Sequence, residues 1–140
     1  MNTQTKFFMS SDSQLDTIEK IALVSAVPET IFAFMSSHLQ VLRDVYLVSV
    51  ICGGANSTFH EKLIQNVAYI DVPIERKISP LKDIYSLYKL TKLFKLNQFT
   101  LVQSITPKAG LLSMLAAWIC RVPIRIHLFT GQVWVTKRGF

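Results

Sequence analysis

Glycine is scarce, and it is missing where a nucleotide enzyme would need it. Five glycines occur in the 140 residues, and none lies in the first strand-to-helix turn, Ala26-Val27-Pro28-Glu29-Thr30. A dinucleotide site needs glycines there so that backbone can approach a pyrophosphate. The Walker pattern, GxxxxGK followed by Ser or Thr, is absent as well. Neither a nicotinamide enzyme nor a nucleoside triphosphatase is expected.

Cysteine is nearly absent. Cys52 and Cys120 each sit inside an apolar run, where a thiol behaves as a small hydrophobe. With no CxxC pair, no zinc site or redox motif is expected, and a reducing, cytoplasmic compartment fits. Long apolar runs are also missing. The longest, Ala109 to Cys120, contains Ser113 and is too short to cross a bilayer. Residues 1–19 are polar and acidic, lack the apolar centre of a signal peptide, and read as a disordered start.

Acidic residues fade along the chain. Residues 1–72 carry four basic residues against seven acids, whereas residues 73–140 carry eleven against Glu75 and Asp83 alone. So basic a half points to an anionic partner: phosphate, nucleic acid or acidic lipid. Nucleic acid is not expected, because no RNP-like aromatic strand, GXXG clamp or helix-turn-helix accompanies the charge. What the chain does have is hydrophobicity, at 50% of residues against 17% charged, which excludes disorder over its main part. Two readings account for that excess: an α/β sheet buried on both faces, or a surface meant for a missing domain, a partner or a membrane.

The pattern favours alternating strands and helices. Apolar runs at Lys20 to Ala26, Val45 to Cys52, Val67 to Ile74, Phe99 to Ile105 and Pro123 to Phe129 read as strands. Helices are expected from Pro28, with a core stripe of Ile31, Met35, His38 and Leu42 broadened by Phe34 and Leu39, and over Pro80 to Leu96. A third, fully buried helix is expected from Lys108 to Cys120, and Pro at a first helical position supports such starts. The fold class is therefore α/β: a Rossmann-like parallel sheet with helices on both faces. Such sheets bind ligands beyond the carboxyl ends of their strands. That rule selects Val27 to Thr30, Gly53 to Thr58, Ser104 to Gly110 and Thr130 to Trp134.

Within "SITPKAGLLSMLAA", Thr106 and Lys108 stand where a strand turns into a helix. Helix-start N–H groups and a mobile lysine charge there would suit an anion, and Gly110 would let another chain or a ligand come close. A helix capped by Thr106 with Pro107 at its first position accounts for the same residues without a ligand. His127, alone on a strand, reads as a packed and hydrogen-bonded side chain rather than a catalyst.

The helix "PLKDIYSLYKLTKLFKL" should turn Leu87, Leu90 and Phe94 to the core. Lys82, Lys89, Lys92 and Lys95 then fall on the other side among Tyr85 and Tyr88, together with Leu81 and Leu96. An outward face of that kind suits the headgroup zone of an anionic membrane as well as an ordinary solvated surface.

The strand, Thr106-Pro107-Lys108-Ala109-Gly110, the alanine-rich helix and "RVPIRIHLFTGQVW" together resemble the amino-terminal domain of family-four-type bacterial glycosyltransferases. These enzymes have the GT-B architecture of two Rossmann domains. The resemblance runs from about Lys20 to Phe140 and is strongest over Ser104 to Trp134. It implies that residues 20–140 form an acceptor-binding domain, cut before its last elements and lacking the carboxyl-terminal donor domain. A nucleotide-sugar donor would bind only in the intact enzyme, and this chain alone would be inactive. By the same resemblance, Thr106, Lys108, Gly110, Thr130, Gly131, Gln132 and Trp134 would line the acceptor or phosphate site, and no metal would be needed.

Implied partners are a lipid-linked or glycan acceptor, an anionic membrane surface and a donor-domain protein. The implied location is cytoplasmic, peripheral to the inner membrane. Two departures from the family stand out: Val27-Pro28-Glu29-Thr30 replaces a glycine-bearing turn, and Thr130 stands where many relatives carry a histidine. The alternatives are a complete, non-catalytic membrane-recruiting subunit of a split transferase, and a non-enzymatic anion-binding α/β module.

Overall fold

Runs of aliphatic and β-branched residues form five short parallel strands, and the longer stretches between them form the helices. The computed structural model describes residues 19–54 and 65–130. The strands are β1 (Lys20–Val24), β2 (Leu47–Cys52), β3 (Val67–Asp71), β4 (Leu101–Ser104) and β5 (Ile124–His127). The helices are α1 (Pro28–Leu42), α2 (Pro80–Asn97) and α3 (Pro107–Ile119). The expected disordered start lies outside the described residues, apart from Glu19.

The strand order is β3-β2-β1-β4-β5, with every pairing parallel. The order reverses beside β1, so the turns after β1 and β4 lie next to each other at the carboxyl edge, the usual place for a ligand in such a sheet. Helices cover both faces, as expected. On one, Ala22, Val24, Ile51 and Val102 meet Leu90 and Phe94 of α2 and Ala109, Leu112 and Ala116 of α3. On the other, Ile21, Leu23, Val48 and Val50 meet Ile31, Met35 and Leu39 of α1. β1 and β2 alternate between the two layers, which explains why their runs read as almost continuously apolar.

Each helix starts on a proline, whose fixed φ suits the first turn and whose missing N–H costs nothing there. α2 ends on Gln98 in the left-handed region, φ 50°, with its N–H on the Phe94 carbonyl. Phe94 then packs edge-on against Phe99, with ring centroids 5.7 Å apart.

Two helix faces differ from expectation. In α1 the buried stripe is Ile31, Met35 and Leu39, while His38 is exposed and Leu42 half-buried. A helix lying on a flat sheet buries an i, i+4 ridge, and 31-35-39 is that ridge. In α3, the helix expected to be fully buried, only one side is covered. Leu111 is 70% exposed and Trp118 64%, with Leu115 and Ile119 also exposed. Small residues (Ala109, Gly110, Ala116, Ala117) let the covered side lie close to the sheet, and the large apolar ones point away.

Candidate functional site

The carboxyl edge of the sheet is built from four turns tied to one another. After β1, the buried Ser25 donates its hydroxyl to the Val27 carbonyl at 2.9 Å, which shapes the entry into α1. The Ala26 N–H crosses to the turn after β4 and donates to Thr106 Oγ1 at 2.9 Å. Thr106 is thus a strut between two turns, and it makes no side-chain cap to α3. After β2, Gly53 lies against the segment following β3. A Cβ there would stand 2.9 Å from the Val72 carbonyl oxygen and 3.1 Å from the Ile74 nitrogen. Gly54 follows at φ +71°, a conformation that glycine adopts without strain.

The loop 73–79, after β3, is held from below by α2 and α3. Ser86 Oγ donates to the Pro73 carbonyl at 2.7 Å. Lys82 pairs with Glu75 at 2.6 Å, and Asp83 accepts the Ser79 N–H at 3.3 Å. Lys108 reaches across from α3 to Asp83 Oδ1 at 2.5 Å and also donates to the Lys77 carbonyl. The mobile charge expected at Lys108 is therefore held in a largely buried ion pair, with only 14% of its side chain exposed.

These struts frame an open cleft of about 460 Å³, lined by Ala26, Val27, Gly53, Gly54 and the loop from Pro73 to Lys77. Arg76 and Lys77 supply exposed cations on its loop side. Neither residue was expected from the sequence, although the rule that selects the other turns applies equally to the one after β3.

Gly110 differs from expectation in what it accommodates. The space a Cβ would need is filled by the His127 ring, with Cε1 and Nδ1 nearest. His127 Nδ1 lies 2.8 Å from Ser104 Oγ, and the ring meets Phe129 edge-on. The packed, hydrogen-bonded histidine expected from the sequence is what the structure contains. Thr130 is exposed at the end of the described chain. Gly131, Gln132 and Trp134 lie outside the described residues.

Both thiols are shifted towards the protonated form. Burial pushes Cys52 up to about 12, with Asp71 and Glu29 adding to the effect. Burial also raises Cys120, while Lys95 opposes it. Among the described residues no cluster of three or more His, Cys, Asp or Glu side chains could hold a metal ion.

The α2 residues expected to face outward divide into two groups. Tyr85, Tyr88, Lys92 and Lys95 are exposed. Lys82 is also exposed but engaged with Glu75, and the half-buried Lys89 lies 5.6 Å from the Tyr85 ring centroid.

Over 110 residues, 76% of its length, the chain is 34% identical to the capsular polysaccharide biosynthesis glycosyltransferase CapM of Staphylococcus aureus. It is a relative of a bacterial glycosyltransferase. No family model matches the chain. Among solved structures, the glycosyltransferase likeness extends to MurG of Acinetobacter baumannii, at TM-score 0.62 and 17% identity over 84% of this chain. A glycosyltransferase of Rickettsia africae matches at TM-score 0.62 and 14% identity over 83%. At those identities the structural likeness shows the fold alone, the Rossmann-like domain of GT-B enzymes. The chain spans 27% of the CapM relative, 37% of MurG and 31% of the Rickettsia enzyme.

Proposed function

We propose that this chain carries the acceptor-binding part of a glycosyltransferase of polysaccharide biosynthesis. The transferase would move a sugar from a nucleotide-sugar to a lipid-linked or surface-polysaccharide acceptor. The observation that carries the reading is the cleft at the carboxyl edge, framed by Gly53, Gly54 and the loop Pro73 to Lys77, in a chain related to CapM. Gly54, with open space where a Cβ would stand, lets a bulky ligand approach backbone, and Arg76 and Lys77 offer charge to the phosphate of a lipid carrier. Thr106 and Lys108 support that cleft from beneath. Thr130, Gly131, Gln132 and Trp134 would be further acceptor or phosphate contacts, as the family resemblance implies.

The donor half of the site belongs to polypeptide outside this segment. Without those donor-binding groups the segment by itself would turn over no nucleotide-sugar. The reaction takes place at the cytoplasmic face of the inner membrane, with the basic outer face of α2 against anionic lipid. No described helix is long and apolar enough to cross a membrane, and a docked rather than spanning arrangement is in keeping with that.

The test is equilibrium binding of a polyprenyl-diphosphate-linked sugar, in detergent, to the purified chain and to the double variant Arg76→Ala/Lys77→Ala. Saturable binding that weakens about tenfold in the variant is expected, the equivalent of about 1.4 kcal/mol. Equal binding by both proteins would remove the cleft from the account.

A further inference from the structure

The opposite edge of the sheet carries a second basic feature, which the acceptor cleft does not use. α2 ends at Asn97 and α3 at Ile119, and the turns beyond them lead into β4 and β5. Both helices therefore bring their carboxyl ends to the amino edge of the sheet, away from the cleft. The turn Arg121-Val122-Pro123 is there a shared wall of two open cavities. One, of about 410 Å³, also takes in Lys95, Phe99 and Thr100. The other, of about 640 Å³, takes in Trp118, Ile119 and Arg125.

Arg121 stands where a glycine is usual. Its N–H donates to the Trp118 carbonyl at 3.1 Å, and the Val122 N–H donates to the Ala117 carbonyl at 2.8 Å. That pair of bonds closes a helix through a left-handed residue, most often glycine. Arg121 holds the position at φ 55°, where a side chain carries strain that glycine avoids. Helix closure explains the turn but not the arginine.

The charge at this edge is one-sided. Between residues 80 and 130 the sole acid is Asp83, which Lys108 neutralises. Lys95, Arg121 and Arg125 are exposed and have no ion-pair partner among the described residues. Two helix ends together amount to about one negative charge, so three cations exceed what the dipoles call for. Trp118 leaves 64% of its surface open beside them.

We propose that this amino edge binds an acidic oligosaccharide, a chain of sugar rings that carry carboxylates. The site goes beyond the acceptor cleft and does not depend on it. The C–H face of a sugar ring is drawn to the negative face of an indole, here that of Trp118. Arg121 and Arg125 match a carboxylate with a planar fork, and Lys95 extends the cationic track into the neighbouring cavity. Two cavities with a common wall suit an extended chain better than one compact molecule. A diphosphate or nucleic acid fits less well, because helix carboxyl ends oppose a dense negative charge instead of cradling it. Carboxylates spread along a sugar chain avoid that penalty.

The experiment is titration of the purified full chain with hexagalacturonate, maltohexaose or polyglutamate, followed by calorimetry. A Trp134→Phe background leaves Trp118 as the one tryptophan of the two in the chain, so its emission reports the same event. Hexagalacturonate should bind saturably, change the Trp118 emission and weaken as salt is raised. Maltohexaose has the rings without the charge, and polyglutamate the charge without the rings. Each should bind about tenfold more weakly.

Arg121→Gly should lower the affinity for hexagalacturonate about tenfold, while its urea midpoint holds or rises because glycine relieves the left-handed strain. Trp118→Ala should lower the affinity by a similar factor. Binding of the polyprenyl-diphosphate-linked sugar should be the same in Arg121→Gly as in wild type, which separates the two edges. The proposal is overturned if hexagalacturonate does not bind saturably, if polyglutamate binds equally well, or if either variant binds as wild type does. Self-association that Trp118→Ala abolishes, without oligosaccharide binding, would assign the edge to a second copy of the chain and overturn it as well.

Discussion

Lys108 Nζ lies 2.5 Å from Asp83 Oδ1, with both side chains mostly shielded from solvent. That pair joins the first turns of α2 and α3 beneath the loop that walls the cleft. Asp83 and Lys108 each also hold that loop, through the Ser79 N–H and the Lys77 carbonyl. The Lys108→Met variant leaves a shielded carboxylate uncompensated. Its cost should lie between that of an exposed pair and a buried one, about 2 kcal/mol. Hydrogen exchange over residues 73–79 should quicken in the variant, and Lys108→Arg should restore most of the protection. Unchanged exchange would show that the pair does not position the loop.

Gly110 and His127 form a second coupled pair. Adding a methyl group at 110 drives the ring off its place and breaks its contact with the buried Ser104. Gly110→Ala should cost about 2 kcal/mol in urea unfolding. In the double variant Gly110→Ala/His127→Ala, the methyl group finds room, so the losses should fall well short of adding. Strict additivity would contradict the close contact.

Gly53 should be less forgiving, because its neighbours are backbone. A Cβ 2.9 Å from the Val72 carbonyl oxygen cannot be relieved by a rotamer change. Gly53→Ala is expected to destabilise by about 1–3 kcal/mol and to weaken acceptor binding as the cleft wall shifts. Full stability and binding in this variant would contradict the packing described.

Cys52 provides a pH signature. Its thiol is raised from 9.0 to about 12 by burial, so the folded state holds its proton where the unfolded state releases it. The contribution is fully present below the unfolded value and is lost as pH rises through the folded one. Relative to Cys52→Ala, wild type should therefore lose about 1.4 kcal/mol for each pH unit above the unfolded value. Urea midpoints at pH 8 and pH 10 for both proteins check this. Parallel behaviour of the two would show that Cys52 is not shielded.

The sheet was legible because strands buried on both faces leave continuous apolar runs, and because three prolines mark helix starts. The site was legible in place and less so in detail. Thr106 belongs to the edge, but its partner is Ala26, 80 residues away, a distance no local pattern reveals. Lys108 looked available because its counter-ion, Asp83, lies on a different helix. Gly110 looked like room for a ligand because the ring that fills it arrives from β5. The exposed apolar side of α3 was hidden by composition: an all-apolar helix reads as buried until the sheet shows which side its small residues take. Arg76 and Lys77 were missed, although they follow closely on the apolar run that contains the third strand.

The central claim is that this segment holds the acceptor and not the donor. Amide chemical-shift mapping of the chain tests it most directly, with a polyprenyl-diphosphate-linked sugar in one titration and UDP-N-acetylglucosamine in the other. The account predicts shifts at Val27, Gly53, Gly54 and Glu75 to Lys77 with the lipid-linked sugar, and no saturable change with the nucleotide-sugar. Saturable binding of the nucleotide-sugar at that edge, or its turnover by this chain alone, would contradict it.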